Sequence, residues 1–246
     1  MKRRKQENIN SFDFKPGKIL SGKYEIISLL GSGWEGEVYR VCEQNTGIVR
    51  AAKFFFPQRN HLNQAVKFYA KKLHKLRHCS ILIQYHTQER IIHKRIPITF
   101  FVSEYVEGKL LSKLLNQQPG KRFSLYEGLH LLHALAAGVE EIHKAREYHG
   151  DLHDDNIIVQ RKGLGFIVKL VDLYNWGSSD AQNTRDDVYD LVRIFYDSIG
   201  GARFYSKYPQ QVKKICCGLR KKIISKKFRT AGHLRQYLED MSWYDR

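Results

Sequence analysis

An α+β fold, strand-rich at first and helical afterwards, is what the sequence predicts, and three observations predict it. Apolar residues alternate in short runs as far as Glu104 and recur at helical spacing beyond it. The turn Gly31-Ser32-Gly33-Trp34-Glu35-Gly36 joins two strand-like runs rather than a strand and a helix. With 246 residues, 42% of them hydrophobic and 12% aromatic, the chain can bury a substantial core as one large domain or two lobes.

Residues 1 to 15 read as a basic, polar, flexible arm. Tyr24 to Leu30 alternates as a strand into the glycine turn, and Glu37 to Val41 returns from it. A third strand, Ile48 to Phe56, carries Lys53 and stops at Pro57. Leu62, Val66, Tyr69, Ala70, Leu73 and Leu76 then fall at helical spacing, and two strands fit Ile81 to His93 and Ile96 to Glu104. After a connector at Tyr105 to Gly108, the strongest helix spans Leu125 to Ala145, with Leu129, Leu132, Leu135, Ala136, Val139 and Ile142 on one face. Short strands are expected at Asn156 to Gln160 and Phe166 to Val171, then helices at Thr184 to Ile199, Gln210 to Leu219 and Ala231 to Met241.

No apolar run is long enough for a membrane span and no signal peptide is read, so a cytoplasmic setting is expected. Cys42, Cys79, Cys216 and Cys217 lack Cys-x-x-Cys spacing and are expected as reduced thiols, the adjacent pair as core packing. The net charge of +17 is concentrated. Phe54 to Gln88 has no acid but holds Lys67, Lys71, Lys72, Lys75 and Arg77; Ser198 to Leu238 has none either and carries Lys213, Lys214, Arg220, Lys221, Lys222, Lys226, Lys227, Arg229 and Arg235. Such surfaces either attract an anionic partner, whether nucleic acid, lipid or acidic substrate, or simply solvate the fold. His74 with His78, and His130 with His133, have metal-ligand spacing but no third ligand in view.

The chemistry concentrates in His149-Gly150-Asp151-Leu152-His153-Asp154-Asp155-Asn156. Phosphoryl transfer needs a carboxylate to take the proton of the attacking hydroxyl and an amide oxygen to hold magnesium, and Asp151 and Asn156 have those identities. A hairpin between Asn156 and Asp172 would bring two oxygen ligands to neighbouring strand ends. Each residue alone would more often be a turn or capping group; their order with Lys53 and the glycine turn is what carries the reading.

With Lys23-Tyr24-Glu25-Ile26, Ala51-Ala52-Lys53, Val102 to Gly108 and Val168 to Asp172 in the same order, the chain resembles a eukaryotic-like protein kinase of the bacterial type from Phe14 onward. The resemblance implies a protein-kinase-like two-lobed fold: a flexible arm at 1–15, an N-lobe at 16–106 with a five-stranded antiparallel sheet and one helix, and a helical C-lobe at 107–246. It also implies ATP and Mg2+ as cofactors and a hydroxyl-bearing acceptor, protein or small molecule. Gly31, Gly33, Gly36, Val38, Ala51, Lys53, Glu104, Val106 and Ile158 would bind ATP, Glu104 and Val106 through backbone groups. Asp151, Lys53 and Asn156 would be catalytic, Asn156 and Asp172 would hold the metal, and Asp187 would brace the catalytic loop.

Departures from the pattern concern the acceptor and the state of the enzyme. Gly150 replaces the Arg that reads an activation-loop phosphate, and His153 replaces Lys, which makes the loop similar to aminoglycoside phosphotransferases and choline-type kinases. Asp172 is followed by Leu173-Tyr174, and only 14 residues separate it from Asp187, so the activation segment is short. Arg229 resembles an Arg whose usual Glu partner is missing. Tyr69 stands where the family has the helix Glu that pairs with Lys53, and either Glu35 or Glu37 is expected to substitute. A protein Ser/Thr kinase-like enzyme is the leading expectation, with a small-molecule or lipid kinase and an ATP-binding pseudokinase as alternatives.

Overall fold

A computed structural model describes residues 8–163, 165–173 and 180–242. The chain divides into two compact units, Met1–His78 with Ile83–Val106, and Cys79–Leu82 with Glu107–Arg246.

The first unit is an antiparallel sheet ordered β1-β2-β3-β4-β6-β5, comprising β1 (Ile19–Leu20), β2 (Tyr24–Ser32), β3 (Gly36–Glu43), β4 (Val49–Phe55), β5 (Tyr85–His93) and β6 (Ile96–Glu104), with one helix, α1 (Gln64–Lys75). Six strands stand where five are expected. The extra one, β1, is a two-residue strand paired Ile19↔Glu25 and Leu20↔Tyr24, too short to show a period. β5 starts later than Ile81, because Ile81 and Leu82 belong to the second unit: the Leu170 N–H donates to the Ile81 carbonyl at 2.7 Å.

Alternation sorts this sheet into two faces. Ile26, Tyr39, Val41, Ala52, Phe54, Ile98, Phe100 and Val102 share a buried core, with Phe54 and Phe100 stacked at 4.4 Å. This core corrects the flexible arm expected at 1–15 over its described part, from residue 8 onward; residues 1–7 lie outside the described residues. Ile9, Phe12 and Phe14 are buried in the core, with Phe12 stacked on Phe14 and on Phe56, both at 5.4 Å. Burying each of these large apolar side chains contributes about 1.5–3 kcal/mol, against about 1–2 kcal/mol for ordering the backbone of one residue. The polar residues between the rings hid this from composition.

In the second unit, β7 (Lys109–Leu110), β8 (Ile157–Lys162) and β9 (Gly165–Leu170) form a three-stranded antiparallel sheet. The helices are α2 (Leu111–Asn116), α3 (Leu125–Lys144), α4 (Ala181–Ser198), α5 (Ala202–Tyr205), α6 (Gln210–Cys216), α7 (Lys221–Lys227) and α8 (Ala231–Glu239). A capping box between Ser124 and Glu127 starts α3, and Leu132, Leu135, Ala136, Val139 and Ile142 are fully buried along it. The expected start of α4 at Thr184 moves back because the Asp180 side chain accepts from the Gln182 and Asn183 N–H groups. Cys217, at φ 49°, ends α6. Burial pushes the Cys216 thiol up to about 12, so it packs as a neutral core group. Among the described residues no helix is long and apolar enough to cross a membrane.

Candidate active site

The expected site residues fall in two groups, one on each unit. On the first unit, Val38 lies opposite Lys53 and Gly31 opposite Val38, while Ala51 and Lys53 alternate on one strand. Gly31, Val38, Ala51 and Lys53 therefore share the sheet face opposite the aromatic core. Gly36 is sterically obligatory, since an added Cβ would sit 1.8 Å from the Phe54 carbonyl oxygen. The Gly33 N–H donates to the Gly36 carbonyl at 2.9 Å and closes the turn. At the end of β6 the Glu104 N–H donates to the Gln84 carbonyl at 2.9 Å; Val106 follows, partly buried.

Lys53 is buried, and its Nζ donates to Glu35 Oε2 at 2.8 Å. Tyr69 of α1 completes the group: its hydroxyl donates to the same Oε2 at 2.9 Å, and its ring lies 4.5 Å from Lys53 Nζ. Packing against Phe55 at 5.6 Å and Phe101 at 5.8 Å holds that ring. Of the two acids expected to replace the helix Glu, Glu35 is the one on Lys53, and the expectation for Glu37 is corrected. Glu37 is a regular β3 residue on the face of Tyr39 and Val41, where it accepts from Tyr39 Oη at 2.6 Å, Ser11 Oγ at 2.8 Å and the Phe12 N–H at 3.1 Å. Glu35 precedes the strand, so the period of two does not bind it to that face.

On the second unit, Asp187 of α4 is 1% exposed and organises the loop after α3. Its carboxylate accepts from the N–H groups of His149 at 2.8 Å and Gly150 at 2.9 Å. His143 Nε2 lies 3.0 Å from the same group, while its Nδ1 accepts from the Ala231 N–H, which assigns the proton to Nε2. Gly150, at φ 84°, takes a conformation that residues with a Cβ rarely adopt. His149 Nδ1 accepts from the Asp151 N–H, so Nε2 donates to the Val171 carbonyl at 3.0 Å. This ties the loop to the residue before Asp172.

Asn156 Nδ2 donates to the Asp151 carbonyl at 2.9 Å and to Asp151 Oδ2 at 3.1 Å. With the amide nitrogen committed inward, Oδ1 is the atom a cation would meet. Ile157 pairs with Leu170, and the Val171 N–H donates to the Asn156 carbonyl at 3.0 Å, so Asn156 and Asp172 stand at neighbouring strand ends. Asp172 has φ 55°, a left-handed conformation that Asp tolerates. Two oxygen donors of this kind suit magnesium. The Asp151 side chain is half exposed, with His153 Nε2 3.6 Å from its Oδ2. Ile158 is partly buried on β8, and Leu173 is buried; Tyr174 lies outside the described residues.

The sequence gives no role to His143, and His149 stands in it only as the first residue of the loop motif. Tyr69 was visible only as an occupant of another residue's place. Among the described residues neither paired-histidine motif gains a third ligand: His133 faces Glu239 at 2.9 Å and the His130 ring packs tilted against Tyr126 at 4.2 Å.

This arrangement is that of a phosphoryl-transfer fold, and a family profile described as protein kinase domain matches residues 24–206. The chain belongs to the protein kinase family, and within it to the eukaryotic-like protein kinases. It is 28% identical over 182 residues to serine/threonine-protein kinase A of Synechocystis, covering 65% of this chain and 32% of that protein. A Streptomyces coelicolor protein named as a probable serine/threonine-protein kinase is 27% identical over 156 residues, covering 62% of this chain and 22% of its own length. The chicken inhibitor of nuclear factor kappa-B kinase subunit alpha is 30% identical over 160 residues, covering 62% and 20%. The matched region thus spans about a third or less of these relatives.

Proposed function

We propose that the chain is an ATP- and Mg2+-dependent phosphotransferase acting on serine or threonine hydroxyls of proteins. The observation that carries this reading is the Asp151–Asn156 lock together with the His149 tether to Val171, which fixes a half-exposed carboxylate beside two oxygen ligands. In this reading 16–106 and 107–246 act as the two lobes of one kinase domain. Gly31, Gly33, Gly36, Val38, Ala51, Glu104, Val106 and Ile158 hold the nucleotide, and Lys53 engages its phosphates. Magnesium, held by Asn156 and Asp172, would neutralise charge on those phosphates. The acceptor oxygen bonds to the γ-phosphorus as the bond to the β–γ bridging oxygen breaks; the hydroxyl proton passes to Asp151 and ADP leaves. The four free cysteines suit a reducing cytoplasm.

Asp151→Ala is expected to lower transfer from γ-labelled ATP by about 10²–10⁴-fold with ATP affinity retained. Transfer at the parental rate would remove Asp151 from the mechanism. A second reading, a small-molecule acceptor, is favoured by a pocket of about 340 Å³ whose lining includes His153, Asp154, Asn116, Arg193 and Asp197. Label appearing in a metabolite fraction and never in protein would select it.

A further inference from the structure

Phosphoryl transfer leaves one concentration of charge unused. Lys221, Lys222, Lys226 and Arg229 converge with Arg185 of α4 on a pocket of about 620 Å³, completed by Gln182 and Ser225. Among the described residues no carboxylate lines it. Lys221 also reaches Asp186 at 2.8 Å, whereas among the described residues Arg185, Lys222, Lys226 and Arg229 form no ion pair.

The charge is placed against the interests of the helix that bears it. Lys221 and Lys222 occupy the first turn of α7, where the helix dipole disfavours cations. Lys222 and Lys226 are like charges at i,i+4, and α7 contains no acid to offset them. What holds α7 to the unit is its other side, where Ile224 is buried, together with the buried Phe228 just past its end. Local rules broken together on one side of a helix mark a site that meets something from outside.

We propose that this pocket binds a phosphoryl group carried on a serine or threonine side chain of a partner protein. A phosphomonoester brings close to two negative charges and three acceptor oxygens. Arg185 and Arg229 come from separate segments and can each present a planar fork of donors to it, with the lysines supplying point charge. Among the described residues no aromatic side chain lines the pocket for bases to stack on, which argues against single-stranded nucleic acid. The proposal goes beyond the catalytic reading and does not depend on it, since an inactive kinase fold could carry the same pocket.

The test is fluorescence anisotropy of the full chain with a labelled peptide of glycine and alanine carrying one phosphoserine, beside its unphosphorylated form. The phosphopeptide is expected to bind at least about tenfold more tightly. Arg229→Gln with Lys222→Gln, and separately Arg185→Gln, should each erase about tenfold of that affinity. Lys67→Gln with Lys71→Gln, in the other acid-free stretch, should change nothing, and Asp151→Ala should bind as the parent does. Unchanged melting certifies the fold of each variant, and the Arg185 variant stands if the α7 variant fails to fold. Equal binding of the two peptides, or pocket variants indistinguishable from the parent, would overturn the proposal. So would preferential capture of a single-stranded oligonucleotide or phosphatidylserine vesicles, or inorganic phosphate binding more tightly than the phosphopeptide.

Discussion

The two units fix their charged groups by different means. In the second, Asp187 accepts from two successive backbone N–H groups and from His143, and the loop that carries Asp151 is held by main chain. In the first, Lys53 is met by Glu35 from the tip of a glycine turn and by Tyr69 from a helix, side chain to side chain. A carboxylate that satisfies buried backbone donors is part of the fold, and removing it leaves those donors unpaired. A carboxylate on a turn is partly exposed and can change partners at small cost. Cutting the first kind should therefore cost stability, and cutting the second should cost function.

Asp187→Ala gives the largest expected effect. It leaves the buried His149 N–H, the partly buried Gly150 N–H and His143 without their acceptor, a loss of about 3–5 kcal/mol in urea unfolding. A loss below about 1 kcal/mol would break the comparison at its stronger end. Glu37→Ala carries the same logic into the first unit, because Glu37 accepts from the Phe12 N–H and the buried Tyr39 hydroxyl. About 2 kcal/mol is expected, with the segment that holds Ile9 and Phe12 becoming accessible to protease before the sheet unfolds.

What could be read in the sequence follows the same division. Period and motif located β6 to the residue, placed α3, and grouped Asp151, Asn156 and Asp172 at one hairpin, because these rest on spacing along the chain. The docking of Phe12 and Phe14, the short β1 and the choice of Glu35 over Glu37 depend on which sheet face a side chain meets. That is fixed by pairing register and by where a turn ends. Tyr69 could be named as the occupant of a vacated position, yet its role needed the ring packing of Phe55 and Phe101.

Asp190 tests the second unit for a charged group that opposes folding. Burial first, and the Asp187 carboxylate next, push its pKa up from 3.8 to about 7, with Lys221 acting against them. Between those values the folded chain holds a proton that the unfolded chain has lost, so this group makes stability fall as pH rises through that window. Asp190→Asn should stabilise by about 1–2 kcal/mol at pH ~8, after allowance for solvent screening, and by nothing at pH ~4. Urea midpoints at the two pH values measure it, and equal gains at both would assign the effect to packing.

Glu35→Gln should have the smallest effect on stability and shows most directly how the first unit works. The amide keeps an acceptor for the Tyr69 hydroxyl but loses the charge that faces Lys53, whose side chain is 6% exposed against 26% for Glu35. Lys53 then retains the face of the Tyr69 ring at 4.5 Å and becomes less tightly oriented. Transfer from γ-labelled ATP should fall about tenfold, equivalent to about 1.4 kcal/mol in the transition state. Melting should stay within about 0.5 kcal/mol of the parent, the range of a surface substitution. Tyr69→Phe, which keeps the ring and removes only the hydroxyl, should cost about threefold. If Glu35→Gln left transfer unchanged while lowering stability as Glu37→Ala does, Glu35 would be a structural residue like Glu37. The two units would then hold their charges by the same means.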